Sequence, residues 1–332
     1  MSDNSDGIDV KQEIENLKRW QEQVRHRFDV LHKAIDDVMW YQRLGDIAEI
    51  DKMRIVGPPP QNTTAQSPAD KGNPVKFPVY TFIPRDIDRT QKHPLIVFPH
   101  GGVHSNFNTN GANIVRELLE QGYLIVAPEY RGSTGYGPRH YKLIDYGGLE
   151  TEDTYAARNW MVKNCDLVDP ERVGIMGWSH GGLHTLMNIF DHPESYKVAF
   201  AGVPVSDLVA RMGYKTDDYR ALYSADYHIG KTAYEDVDEY RRRSPAWNAH
   251  KLQTPLLIHT NTADEDVNSL EVEHLINALK AADKDFEYEI FEDVPGGHSF
   301  DRLDTSFARE CREKIYEYLA DYLKPSGSDE NE

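Results

Sequence analysis

Apolar residues recur at Val10, Ile14, Leu17, Trp20, Val24, Phe28, Leu31, Ile35 and Val38, eight steps over 28 residues or 3.5 per step. This spacing predicts a long amphipathic helix over residues 8–39. A lone helix with such a stripe is unstable in water, so the stripe has to be buried. Docking on the body of the same chain is the first expectation, because Trp20, Phe28 and Trp40 are bulky for a regular two-stranded seam; a homo-oligomer through the helix is the second. The stretch GPPPQNTTAQSPADKGNP, residues 57–74, is rich in Pro, Gly and small polar residues and reads as an exposed connection.

From Val75 the pattern changes. Short β-branched or aromatic runs (VKFPVYTFI, PLIVFPH, YLIVAPEY, RVGIMGWS, VAFAGVPV, PLLIHT and FEYEIFEDV) alternate with helix-length segments such as NIVRELLEQG, LEVEHLINALKAA and CREKIYEYLADYL. Strands alternating with helices predict βαβ units: an α/β fold with a mainly parallel sheet and helices on both faces. MRIVG, residues 53–57, adds an antiparallel strand and brings the sheet to eight. The expected organisation is a helical extension over 1–56, a linker over 57–74, one α/β domain over 75–324 and a disordered acidic tail over 325–332.

An apolar content of 39% over 332 residues is enough for a sizeable core. The net charge of −18 argues against nucleic acid and gives no basic stripe for a membrane surface. Two cysteines, Cys165 and Cys311, make no disulfide framework. The acidic start lacks the basic and apolar regions of a signal peptide, so a cytoplasmic protein is expected.

In an open α/β sheet, ligands bind beyond the carboxyl ends of the strands. After RVGIM comes Gly177-Trp178-Ser179-His180-Gly181, a G-x-S-x-G between a strand and a helix-forming segment. Glycines suit a turn that lifts the serine hydroxyl clear of the backbone. A serine is a weak nucleophile unless a base takes its proton and a carboxylate orients that base. Asp264 and Asp266 follow one strand and His298 follows the last, giving the order Ser, Asp, His. Backbone donors for an oxyanion are expected from His180, next to the serine, and from Gly101 and Gly102 in His100-Gly101-Gly102. His180 and His184 stand four apart, but no Glu lies between them in the H-E-x-x-H manner, so neither a metal nor a cofactor is expected.

In combination, YRGSTGYG (130–137), GWSHGG, AGVPVSD, TADEDV and GGHSF resemble the catalytic domain of the prolyl-oligopeptidase family, which includes dipeptidyl and acylaminoacyl peptidases. The resemblance covers about residues 75–324 and implies an α/β-hydrolase fold with Ser179, Asp264 and His298 as the triad. It also marks the tyrosine-rich stretch from Tyr214 as part of a substrate pocket, for which His100, Trp178, Tyr136, Tyr214, Tyr219 and Tyr223 are candidates. The chain departs from the family in two respects. Its acid loop, HTNTAD, is one residue longer than the common H-G-x-x-D, which keeps Asp266 in play. Also, about 75 helical residues stand where the large peptidases carry a β-propeller, so recognition of a free amino terminus has no visible source.

The sequence therefore predicts a stand-alone serine hydrolase working through an acyl-enzyme on Ser179. An esterase on small, phenolic or sugar-linked acyl esters is the leading expectation. A peptidase on short or acylated peptides is the alternative, and a catalytically idle scaffold the third.

Overall fold

The computed structural model describes residues 9–60 and 74–325. Most of the expected linker and all but the first residue of the expected tail lie outside the described residues. The strands are β1 (Ala48–Val56), β2 (Lys76–Pro84), β3 (His93–Val97), β4 (Leu124–Pro128), β5 (Val168–Trp178), β6 (Val198–Gly202), β7 (Leu256–Asn261) and β8 (Glu287–Phe291). The helices are α1 (Val10–Leu44), α2 (Ala112–Glu120), α3 (Pro138–Tyr141), α4 (Leu149–Asn164), α5 (His180–Asp191), α6 (Leu208–Tyr214), α7 (Asp217–Ser224), α8 (Val237–Arg242), α9 (Pro245–Asn248), α10 (Ser269–Ala281) and α11 (Ser306–Leu323).

The eight strands form one sheet in the order β1-β2-β4-β3-β5-β6-β7-β8. The pairs β1–β2 and β2–β4 are antiparallel and the others parallel. Strands β3, β4, β6 and β7 are buried along their whole length, as expected of parallel strands covered on both faces. Alternate side chains divide between two cores: Leu95, Val97, Leu124, Val126 and Ile175 pack under α4, α5 and α10, while Ile96, Ile125, Met176 and Phe200 pack under α2 and α11. The strand expected at MRIVG begins earlier, at Ala48, and pairs all nine of its residues with β2, so the sheet starts inside the segment assigned to the helical extension.

Helix α1 is longer than its apolar spacing predicted, reaching Leu44. Asp9 caps its start by accepting from the Lys11 and Gln12 amides. The helix docks, but not by the predicted stripe. Its buried residues are His26, Lys33, Trp40 and Leu44, whereas Val10, Leu17, Phe28, Leu31, Ile35 and Val38 are all more than half exposed. Two attachments explain the choice of face. Trp40 is fully buried, stacked on Phe107 with ring centroids 5.2 Å apart and edge-on to Phe82 at 5.1 Å. Lys33, also buried, places Nζ 2.8 Å from Glu129 Oε1 and donates to the Phe107 carbonyl. An ammonium buried at this depth requires such partners. Asp36 adds bonds from the Thr109 amide at 2.9 Å and hydroxyl at 2.6 Å.

Candidate active site

The chain runs from β3 outward to β4, then returns across the sheet to β5, so its winding reverses between β3 and β5. Such a reversal opens a crevice at the carboxyl ends of the strands. The segments after β3, β5, β7 and β8 meet there.

Ser179 links β5 to α5 with φ 59° and ψ −121°, a conformation that costs a non-glycine residue about 1–3 kcal/mol. Its amide donates to the Gly202 carbonyl at 2.9 Å, fixing the turn to β6. The flanking glycines allow the sharp approach: a Cβ on Gly177 would stand 2.5 Å from the Gly181 carbonyl oxygen, and one on Gly181 2.4 Å from that of Pro99. Gly101 passes so close that its Cβ would lie 3.5 Å from that of Ser179. The first turn of α5, from His180, presents amides without intrahelical acceptors next to the serine.

His298 lies in the short turn after β8 and donates from Nδ1 to Asp264 Oδ2 at 2.7 Å. The other Asp264 oxygen accepts from the amides of Asp266 and Val267 at 2.8 and 2.9 Å. These three bonds fix the buried carboxylate and the orientation of the His298 ring, whose Nε2 is turned away from Asp264. Asp266 sits on the opposite side of the ring, with Oδ2 3.7 Å from Nε2, half exposed and paired with Lys215 and Arg211. Burial raises the Asp266 pKa, but the bond from Lys215 and the charges of Arg211 and His298 outweigh it and leave the carboxyl below the usual range. Asn261 ties the two loops together: its side-chain nitrogen donates to the carbonyls of Val294 and Gly297, and its oxygen accepts from the amides of Ala263 and Val294.

Ser179 and His298 open on one cavity of about 530 Å³, whose wall also includes His100, Gly101, Gly102, Trp178 and Asp266. Four pocket candidates are not on this wall. The Tyr136 hydroxyl donates to Glu129 Oε1 at 2.9 Å, which turns it toward α1. Tyr223 is fully buried against Tyr146 and shares a hydroxyl contact of 2.6 Å with Tyr219. Tyr214 donates to Glu271, and both Tyr214 and Tyr219 accept from Arg211. These tyrosines solvate a buried guanidinium that in turn holds Asp266. In their place the cavity takes Phe98, Phe107, Ile114 and Leu303 as apolar wall and Arg302 as a cation. Each stands within a few residues of a motif already singled out, but none carries a pattern that marks it in sequence.

Behind Ser179, Glu150, His180 and His184 form a buried group whose ligand atoms lie within 4.8 Å of one another, close enough to hold an ion. Hydrogen bonds link the two histidines: their Nε2 atoms are 3.1 Å apart and His184 Nδ1 meets the Thr154 hydroxyl at 2.8 Å. Burial pushes both imidazoles well below their ordinary pKa. Burial, with the nearby Asp145, raises the Glu150 carboxyl to about 8.

A profile of the Prolyl oligopeptidase family matches residues 112–326. Among curated proteins the chain is similar to the acylamino-acid-releasing enzyme of Mus musculus, 29% identical over 69% of this chain and 31% of that protein. It is also similar to the uncharacterized peptidase YuxL of Bacillus subtilis, 29% identical over 61% of this chain and 30% of that protein. The chain thus spans about a third of the length of these relatives. Among solved structures it resembles the acylaminoacyl peptidase of Pyrococcus horikoshii, with TM-score 0.67 at 21% identity, covering 84% of this chain and 42% of that one. A puromycin-hydrolyzing peptidase of Mycobacterium tuberculosis superposes with TM-score 0.66 at 23% identity, covering 83% and 40%. At these identities the superpositions establish the α/β-hydrolase fold. No helix among the described residues is long and apolar enough to cross a membrane.

Proposed function

Since the chain belongs to the prolyl oligopeptidase family, we propose that it is a serine peptidase cleaving short peptides whose amino terminus is acylated. Membership makes it a serine hydrolase rather than an idle scaffold. The comparisons also move the reading from esters to peptide bonds, because the named relatives are peptidases and nothing among them supports an esterase. The observation that carries the mechanism is the 2.7 Å contact of His298 Nδ1 with buried Asp264, on a cavity shared with Ser179.

In this reading Ser179 Oγ bonds to the substrate carbonyl carbon while its proton passes to His298 Nε2. The carbonyl oxygen takes the negative charge, stabilised by the His180 amide and by the backbone of Gly101 and Gly102. Collapse breaks the C–N bond, His298 returns the proton to the departing amine, and an acyl-enzyme remains. Water repeats the sequence and frees the acid. Asp264 keeps the imidazole in the tautomer that accepts at Nε2 and stabilises the imidazolium.

The blocked amino terminus rests on the relatives' names and on charge. The carboxylate on the cavity wall, Asp266, is already paired with Lys215 and Arg211, so an α-ammonium would find it committed. The apolar wall of Phe98, Phe107, Ile114 and Leu303 suits an acyl group. Rates on N-acetyl-alanine p-nitroanilide, alanine p-nitroanilide and p-nitrophenyl butyrate test this. We expect kcat/KM at least about tenfold higher for the acetylated anilide than for the free one, about 1.4 kcal/mol of discrimination. Turnover of the ester with neither anilide cleaved would refute it.

A further inference from the structure

We propose that α1 is one half of a parallel, in-register two-stranded coiled coil formed with a second copy of this chain. The two faces of the helix carry the argument. Written as heptads, Ile14, Gln21, Phe28 and Ile35 take position a, and Val10, Leu17, Val24, Leu31 and Val38 take position d. His26, Lys33 and Trp40, the residues buried against the hydrolase body, recur seven apart at position f. Position f lies opposite the a/d seam, so the body occupies the outer side of the helix and leaves the apolar seam residues exposed except for Val24, which is half-buried. Trp20 falls at g, beside the seam rather than in it, which removes much of the bulk that speaks against regular pairing.

The seam needs a cover. Every residue from Asp9 to Gln21 is exposed, so about three turns of helix stand clear of the body, a length that is marginal in water by itself. Along the same line Val10, Leu17 and Val38 are 67, 61 and 67% exposed. Together with Ile14, Val24, Phe28, Leu31 and Ile35 they form one straight apolar strip. Two copies of it offer roughly 1,000–1,500 Å² of burial, comparable with the smaller specific interfaces.

Residue types choose the occupant and its direction. Alternating 3-4 spacing with Val and Leu at d is self-complementary, so a second copy fits it without any further partner. In a parallel pairing, Gln21 at a faces Gln21 of the second copy and the two amides hydrogen-bond, the use to which a lone polar a residue is put in fixing register. Glu13 at g then reaches Lys18 at e of the second copy, and Trp20 lies against Arg25 of the second copy; Arg27 facing His32 gains nothing. An antiparallel pairing would instead set the e row of Lys11, Lys18 and Arg25 against its own copy, basic against basic.

The test measures the mass of the full chain by sedimentation or light scattering over micromolar concentrations, for wild type and for the Leu17→Glu/Leu31→Glu double variant. Both leucines are exposed, so the hydrolase body of the variant should fold, as an unchanged near-ultraviolet circular dichroism spectrum would verify. Wild type at twice the 38.0 kDa chain mass, and the variant at the single-chain mass, is the expected result. Wild type at the single-chain mass, or a variant still dimeric, would overturn the proposal. Direction is read from Gln21→Cys: rapid disulfide-linked dimer on mild oxidation, absent in wild type, supports parallel register, and a dimer that fails to cross-link overturns it.

Discussion

Replacing Asp264 with Asn changes one atom in the loop between β7 and α10, yet it tests the reasoning about the site most directly. The lost oxygen charge accepts from His298 Nδ1 at 2.7 Å, while the second oxygen accepts two backbone amides. An asparagine that keeps its oxygen on those two amides turns its NH₂ toward His298. The imidazole must then accept at Nδ1 and carry its proton on Nε2, where the serine proton has to go. Wrong-tautomer substitutions of this kind cost about 10³–10⁴ in kcat, or about 4–5.5 kcal/mol of transition-state stabilisation. Asp266→Asn removes a half-exposed carboxylate held by Lys215 and Arg211, worth about 1 kcal/mol, so a loss of about fivefold is expected. Steady-state kinetics on the acetylated anilide, with circular dichroism to show intact folds, measures both. If Asp266→Asn proves the more damaging, the assignment of the orienting carboxylate is wrong and the longer acid loop has moved that role downstream.

Two further outcomes follow from the elbow and from the buried acid. Ser179→Ala should reduce turnover to background with the fold unchanged, whereas Ser179→Gly should be equally inactive but more stable by about 1 kcal/mol, because glycine accepts the φ of 59° without strain; equal melting temperatures for the two variants would contradict the strain argument. Glu150 has its folded pKa raised to about 8 from the ordinary 4.5, so the folded state binds its proton more tightly than the unfolded chain. The stability this contributes is complete below the unfolded pKa and is lost as pH rises toward 8. Thermal melts between pH 6 and 9 should show Glu150→Gln losing less stability with rising pH than wild type, and parallel curves would count against a neutral Glu150.

The strands and the serine elbow are legible because their signals are local. Apolar runs closed by Gly177-Trp178-Ser179-His180-Gly181 or Gly296-Gly297-His298 encode both the sheet and the turn chemistry within a few residues. The docking face of α1 is not legible for the opposite reason. Lys33 reads as a solvated charge until Glu129, almost a hundred residues away, is seen to pair with it, and the apolar stripe that seemed bound to dock remains outside. The tyrosines mislead in the same way. The resemblance of their segment to the family's pocket region suggested a lining role, but Arg211 collects Tyr214 and Tyr219 around its own buried charge. The cavity wall is built from Phe107, Ile114, Arg302 and Leu303, placed by chain geometry rather than by pattern.

The docked and the open faces of α1 also restrict how its length can vary. An α-helix turns about 100° per residue, so inserting or deleting one residue between Gln21 and His26 would rotate everything upstream by that angle about an anchor that cannot move. Val10, Ile14 and Leu17 would leave the line of Phe28, Leu31 and Ile35, although the buried anchors His26, Lys33 and Trp40 would stay in place. An insertion of seven residues would rotate them by only about 20° from a full double turn and leave the line nearly straight. Viable length changes upstream of the anchor should therefore come in heptads, a rule for indels that no inspection of the catalytic residues would suggest.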